Sequence, residues 1–250
     1  MMAAAGWYGK LPQMGDFSRR RLPPEFVDRW DAWLQDAITH SKAELGGEWL
    51  DSYLTAHIWH FFLMPGVLGP QAWTGIWMPS VDRVGRYFPF TVATELPAEA
   101  LLLTAMPAVA TWLRSVDLCA RAILEPNHEI SVLEHSLQEL GLPTINAQHA
   151  RPFSLVSEQL ARHEKLISLQ STGGDAPFPP ECLAAIAATS VQAAFAGYSL
   201  WWCQGADGAS GGFAHQGLPT ASFLTKMLVY SPASDTTPLI GGACAARLGR

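Results

Sequence analysis

His57 and His60 lie three positions apart. On a helix, that spacing would point both imidazoles the same way, toward a shared metal. No Asp, Glu or Cys completes a pattern such as H-E-x-x-H around them. Histidines at a core edge or in solvent are the simpler reading. His128 and His135 lie seven apart with Glu134 between them, and no ligand set emerges there either. The stretch 205–212, Gly-Ala-Asp-Gly-Ala-Ser-Gly-Gly, is glycine-rich. It lacks the lysine of a phosphate-cradling loop and does not match G-x-G-x-x-G, so a surface loop is expected. No G-x-S-x-G elbow occurs. Asp82, Asp175 and Asp207 are scattered, and no pair of carboxylates has a spacing that suggests acid–base work. Cys119, Cys182, Cys203 and Cys244 form no C-x-x-C or zinc pattern. No metal and no cofactor are expected.

One polar stretch stands out, Asp82-Arg83-Val84-Gly85-Arg86, between two apolar segments. Gly85 supplies a permissive backbone angle, and opposite charges surround it. A self-paired loop that fixes strand register is one account. An exposed polar patch on a rigid scaffold, where binding residues tend to sit, is the other. Partner contact is expected at Asp16, Asp82, Arg83 and Arg86, with Trp201 and Trp202 as an apolar patch. The alternative is a hydrolase-like enzyme whose site forms in space from the loops at 82–86 and 205–212.

These loops need elements to hold them. Residues 6–11 predict a short strand, broken by Pro12 and Gly15-Asp16. Pro23-Pro24 opens a helix carrying Phe26, Trp30, Trp33, Leu34, Ala37 and Ile38 at helical spacing. A second helix is expected over 48–63, apolar on most sides, with Trp49 and Trp59 in the core. Strands are expected at 72–78 and 87–95 as a hairpin, at 166–170, and at 199–203. Helices are expected at 98–124, 128–141, 180–196 and 219–228. The reading is α+β, a mixed α/β sandwich with a largely antiparallel sheet packed by helices. One domain over 1–250 is expected, with a sub-domain seam near 142–165 and a loosely held tail at 231–250.

Composition narrows the function classes. The chain has 250 residues, 49% of them hydrophobic, and needs no disulfide or metal to build a core. Charged residues are only 15%, and there are 10 Trp and 11 Phe, which argues against disorder. The net charge of −6 speaks against nucleic acid as a partner. The one dense basic run, Arg19-Arg20-Arg21, reads as a solvated corner before a helix. No signal peptide and no apolar run of membrane-spanning length are visible, so a cytoplasmic location with reduced cysteines is expected.

Gly6-Trp7-Tyr8-Gly9-Lys10-Leu11-Pro12 followed by Gly15-Asp16-Phe17 resembles the start of the TagF family of type VI secretion-associated proteins. Trp30-Asp31, Trp33-Leu34, Trp49-Leu50, Tyr53-Leu54 and Pro65-Gly66 continue the likeness in order. Met78-Pro79-Ser80, Asp82-Arg83, Gly85-Arg86 and Phe88-Pro89 are its most specific part, and Ser199-Leu200-Trp201-Trp202 fits the later region. The resemblance implies a post-translational negative regulator of the type VI apparatus that acts by binding proteins and has no established catalytic activity. Its implied partner is a forkhead-associated scaffold protein or another type VI component. Self-association stays open. Some family members carry a fused phosphatase domain, for which this chain has no length left.

Overall fold

The structure, a computed structural model, describes residues 3–97, 102–125, 128–145, 180–205 and 208–232. Among the described residues, seven strands form one open sheet. They are β1 (Gly6–Gly9), β2 (Ser18–Arg20), β3 (Trp59–Leu63), β4 (Ala72–Met78), β5 (Phe90–Leu96), β6 (Tyr198–Gln204) and β7 (Ser210–Gln216). Their spatial order is β2-β1-β5-β4-β3-β6-β7, and every neighbouring pair is antiparallel.

The sheet is covered on both sides. Successive side chains of a strand point to opposite faces, and the two cores divide the strand residues in that way. Trp59, Phe61 and Leu63 of β3 join Trp73, Trp77 and Trp201 on one face. Phe62 joins Ile76, Val92 and Trp7 on the other. The first face packs under α1 (Pro24–Leu45), α2 (Trp49–Thr55) and α6 (Ala221–Val229). The second packs under α3 (Leu102–Ala122) and α4 (Ile130–Leu140), with α5 (Pro180–Ala194) against α3. The α+β sandwich read from the sequence is therefore the fold.

Helix α1 begins at Pro24, where a missing N–H costs nothing. Its buried stripe of Phe26, Trp30, Leu34, Ala37 and Ile38 meets the aromatic face of the sheet. Trp30 lies 4.9 Å from Phe61 and stacks on Trp201 at 6.1 Å, while its Nε1 donates to Thr91 Oγ1 at 2.9 Å. Phe61 faces Gly75 on β4, and a Cβ at Gly75 would meet the Phe61 ring at 2.7 Å. A glycine there lets the ring lie flat across the neighbouring strand.

Three expectations need correction. The helix expected over 48–63 is a short helix, α2, followed by strand β3. His57 and His60 therefore do not share a helix face. In β3 both faces are buried, so Trp-His-Phe-Phe-Leu is a continuous buried run whose periodicity cannot separate strand from helix. The glycine-rich stretch at 205–212 is a loop only in its first part, because β7 starts at Ser210. Arg19 and Arg20, expected with Arg21 as a solvated corner, belong to the edge strand β2. The hairpin of 72–78 with its partner is present as β4 and β5, the latter beginning at Phe90 after Pro89. The strand expected at 166–170, most of the seam at 142–165 and the tail from 233 lie outside the described residues. No helix among the described residues is long and apolar enough to cross a membrane.

Trp49 and Trp59 are both core residues as expected. Trp59 is fully buried, lies 5.5 Å from Phe213 and from Tyr230, and donates its Nε1 to the Met227 carbonyl at 3.2 Å. Trp59→Ala should cost about 3–5 kcal/mol through lost burial and a cavity, lowering the melting temperature by roughly 10 °C. A calorimetric melt within a degree or two of the parent would show that Trp59 does not anchor α6 to the sheet.

Candidate functional site

The β1–β2 loop and the β4–β5 connection emerge at one end of the sheet, because Gly9 pairs with both Ser18 and Phe90. A bridge between Val81 and Tyr87 turns residues 82–86 into a small hairpin loop. Asp82 N donates to the Arg86 carbonyl at 3.1 Å, and Gly85 N donates to the Asp82 carbonyl at 3.0 Å. Gly85 takes φ +84°, a left-handed angle that glycine adopts without a steric penalty. Asp at the first turn position then accepts backbone bonds with its own side chain, from Val84 N at 3.1 Å and Arg86 N at 2.8 Å.

The same carboxylate ties the second loop in. Lys10 Nζ approaches Asp82 Oδ2 at 3.1 Å, and Arg86 Nε donates to that oxygen at 2.7 Å. The Asp82 side chain is 0% exposed and that of Lys10 only 6%. Burial by itself would raise the Asp82 pKa, but the hydrogen bonds from Arg86 and Lys10 outweigh it and hold the carboxyl well below the usual range. Further stitches join the loops. Ser80 Oγ donates to the Lys10 carbonyl at 2.7 Å, Arg83 N to Met14 O at 2.9 Å, and Arg86 Nη2 to Gly15 O at 2.5 Å. Tyr53 on α2 braces the base, its hydroxyl donating to Ser80 O and accepting from Ser80 N, both at 2.9 Å. Burial pushes this phenol well above its usual range.

What the stitched loops turn outward is mixed in chemistry. Val84 at the tip is 64% exposed. Arg83 is exposed, and among the described residues its guanidinium has no hydrogen-bond or ion-pair partner. Phe17 is partly exposed, stacked on Tyr8 at 5.9 Å and edge-on to Phe88 at 4.8 Å, with Lys10 Nζ 4.9 Å from its ring centre. Asp16, 79% exposed, stands 3.8 Å from Arg86 Nη2, and its Oδ1 accepts from Phe17 N at 2.8 Å.

The structure brings together Asp16, Asp82, Arg83 and Arg86 but gives them different tasks. Asp82 is enclosed and holds the loop, Arg86 is half committed to it, and Arg83 and Asp16 face solvent. The expected apolar patch at Trp201 and Trp202 is corrected, since consecutive strand residues face opposite sides. Trp201 is 1% exposed inside the aromatic core, and Trp202 is half-buried on the other face, edge-on to His60 at 5.7 Å. The loop after β6 lies at the same end of the sheet as Asp82. Strand β3 stands between β4 and β6, about 10 Å apart at two strand spacings. Asp207 and Asp175 fall outside the described residues. His60 pairs instead with Asp117 on α3 at 3.2 Å. No cluster of His, Cys, Asp or Glu fit to hold a metal occurs among the described residues.

The basic run also proves to be more than a solvated corner. Arg21 grips Glu134 of α4 with both nitrogens of its fork, at 2.6 and 3.0 Å, and Arg20 adds a contact at 3.2 Å. Trp7 Nε1 donates to the same carboxylate. Burial would raise the Glu134 pKa, and the bonds from Arg21 and Trp7 together lower it. Arg21 pays for this grip with a left-handed φ of +61°. The latch fixes α4 to β1 and β2 at the end of those strands away from the loop between them. Nothing in the local sequence pairs Arg21 with a glutamate more than a hundred positions away.

Asp82 gives a pH signature with a definite sign. Unfolded, it titrates near about 3.9, and folded it lies lower, so its stabilisation is complete above about pH 5 and lost as the pH falls toward the folded value. Asp82→Asn should melt several degrees below the parent at neutral pH, and the gap should narrow below about pH 4. Calorimetric melts of both proteins from neutral to acid check this; a constant gap would contradict the buried charge.

Residues 6–140, more than half of the chain, match the model of the TagF N-terminal domain, described as type VI secretion system-associated. Among solved structures, the crystal structure of PA0076 from Pseudomonas aeruginosa PAO1 is similar at 37% identity with a TM-score of 0.71. The match covers 96% of this chain and 99% of that one. No curated protein matches the chain. The matched span contains both stitched loops, the Asp82 cage and the Glu134 latch, and on these grounds the chain belongs to the TagF family of type VI secretion-associated proteins.

Proposed function

We propose that the protein is a non-enzymatic, cytoplasmic negative regulator of type VI apparatus assembly, acting as one unit by binding another protein. The family membership supports a role in type VI secretion. The observation that carries the binding reading is the division of labour at the corner where the β1–β2 loop and the 82–86 hairpin are stitched together. Asp82, Lys10, Ser80 and Tyr53 are buried and satisfied, whereas Arg83 and Val84 are turned to solvent on a backbone those residues hold. A loop already fixed in shape loses little entropy on binding. An arginine beside apolar surface is a favoured anchor, because its fork pairs with carboxylates and its plane stacks on rings. The partner we propose is the forkhead-associated scaffold protein of the secretion system.

Arg83→Ala should weaken binding to that scaffold by about 1–2 kcal/mol while leaving the melting temperature near the parent's, since the Arg83 backbone N–H to Met14 survives the change. Titration calorimetry beside a melting curve makes the measurement. Full-strength binding by a stable Arg83→Ala protein would remove the corner from the interface.

A further inference from the structure

The corner's charge is opposite to that of the chain. The protein carries −6 overall, yet at the corner Lys10 and Arg86 hold Asp82, Arg86 also reaches Asp16, Arg83 lies in the same hairpin as Asp82, and Arg19 lies on the adjoining strand β2. Asp82 is spent between Lys10 and Arg86. Asp31 on α1, beneath Tyr8, is bound by the Tyr8 hydroxyl and the Gln35 amide. Arg19 is exposed on β2 opposite Tyr8, the residue on which Phe17 stacks. Among the described residues of the two loops, Asp16 is the outward carboxylate, and it meets Arg86 in a long ion pair of 3.8 Å.

We infer that the corner receives an acidic segment of a protein partner, with a carboxylate on Arg83 and an adjoining apolar side chain against Val84 and Phe17, and that Asp16 weakens this contact. The inference rests on the reading that the corner is the contact surface. Among the described residues, Arg83 and Arg19 have no hydrogen-bond or ion-pair partner at the corner, and a carboxylate is the group the planar Arg83 fork fits. Val84, next to Arg83 in the chain, and Phe17, in the loop that Arg83 N holds through Met14, supply exposed apolar area. Asp16 repels an incoming carboxylate and draws part of the field of Arg86. A basic segment would meet the opposite situation, facing unpaired arginines and one screened aspartate.

Asp16→Asn is the sharp test. Its Oδ1 can still accept from Phe17 N, so the loop is preserved while the charge is removed. Binding to the purified forkhead-associated scaffold is measured by calorimetry for the parent, Asp16→Asn, Arg83→Gln and Arg83→Glu, at about 50 and about 300 mM salt. The expected results are a two- to five-fold tighter Kd, roughly, for Asp16→Asn, a loss of about tenfold for Arg83→Gln, and a larger loss for Arg83→Glu. Parent binding weakens at the higher salt. If both Arg83 variants bind like the parent, the corner is not the interface and the functional reading falls with the inference. If Arg83→Gln weakens binding while Asp16→Asn fails to tighten it, or salt has no effect, the corner remains the interface and the acidic partner is rejected. No binding by the parent protein rejects the scaffold as partner and the inference with it.

Discussion

A carboxylate taken fully out of water must be met by charge and hydrogen bonds, and Asp82 is such a group. It receives two backbone N–H bonds from its own hairpin, the Arg86 guanidinium and the Lys10 ammonium. Lys10 follows β1, so satisfying Asp82 requires that the loop after β1 and the hairpin between β4 and β5 stay together. Those strands can meet only because β1 pairs with β5. On that sheet order, the loop contact and the outward display of Arg83 and Val84 follow from one buried charge and its partners.

The second constraint is the sheet itself. Aromatic side chains fill both faces, with Trp30, Phe61, Trp73, Trp77 and Trp201 on one and Trp7, Phe62, Phe90 and Trp112 on the other. Large rings at this density resist small displacements, because removing any one leaves a void its neighbours cannot fill. The loops at the sheet end are therefore carried on a stiff platform. The Arg21–Glu134 latch extends that stiffness to α4.

Local chemistry explains which parts were legible in the sequence. Proline pairs, glycine breaks and the stripe from Phe26 to Ile38 marked α1 and its ends. Alternation in Ala72–Met78 marked β4. β3 was unreadable as a strand because a sheet covered on both faces erases alternation. β7 hid behind its glycines, two of which sit within the strand where a Cβ at Gly212 would meet the Trp201 carbonyl at 2.3 Å. At the corner, residues 82–86 were visible from their charges and Gly85, and Asp16 from its turn. The ion pair from Lys10 to Asp82 and the latch from Arg21 to Glu134 span long separations that only the fold closes. Trp201 and Trp202 misled because two adjacent tryptophans look like a patch until strand geometry sends them to opposite faces.

In this account the protein works as a rigid presenter, whose buried polar network sets the shape of one small basic and apolar surface. Hydrogen exchange, measured on the protein alone and saturated with the forkhead-associated scaffold, tests this most directly. The account predicts new protection confined to residues 13–19 and 82–87, with β6, β7 and α6 unchanged. Protection concentrated on β6, β7 or α6, with the two loops exchanging as in the free protein, would contradict it.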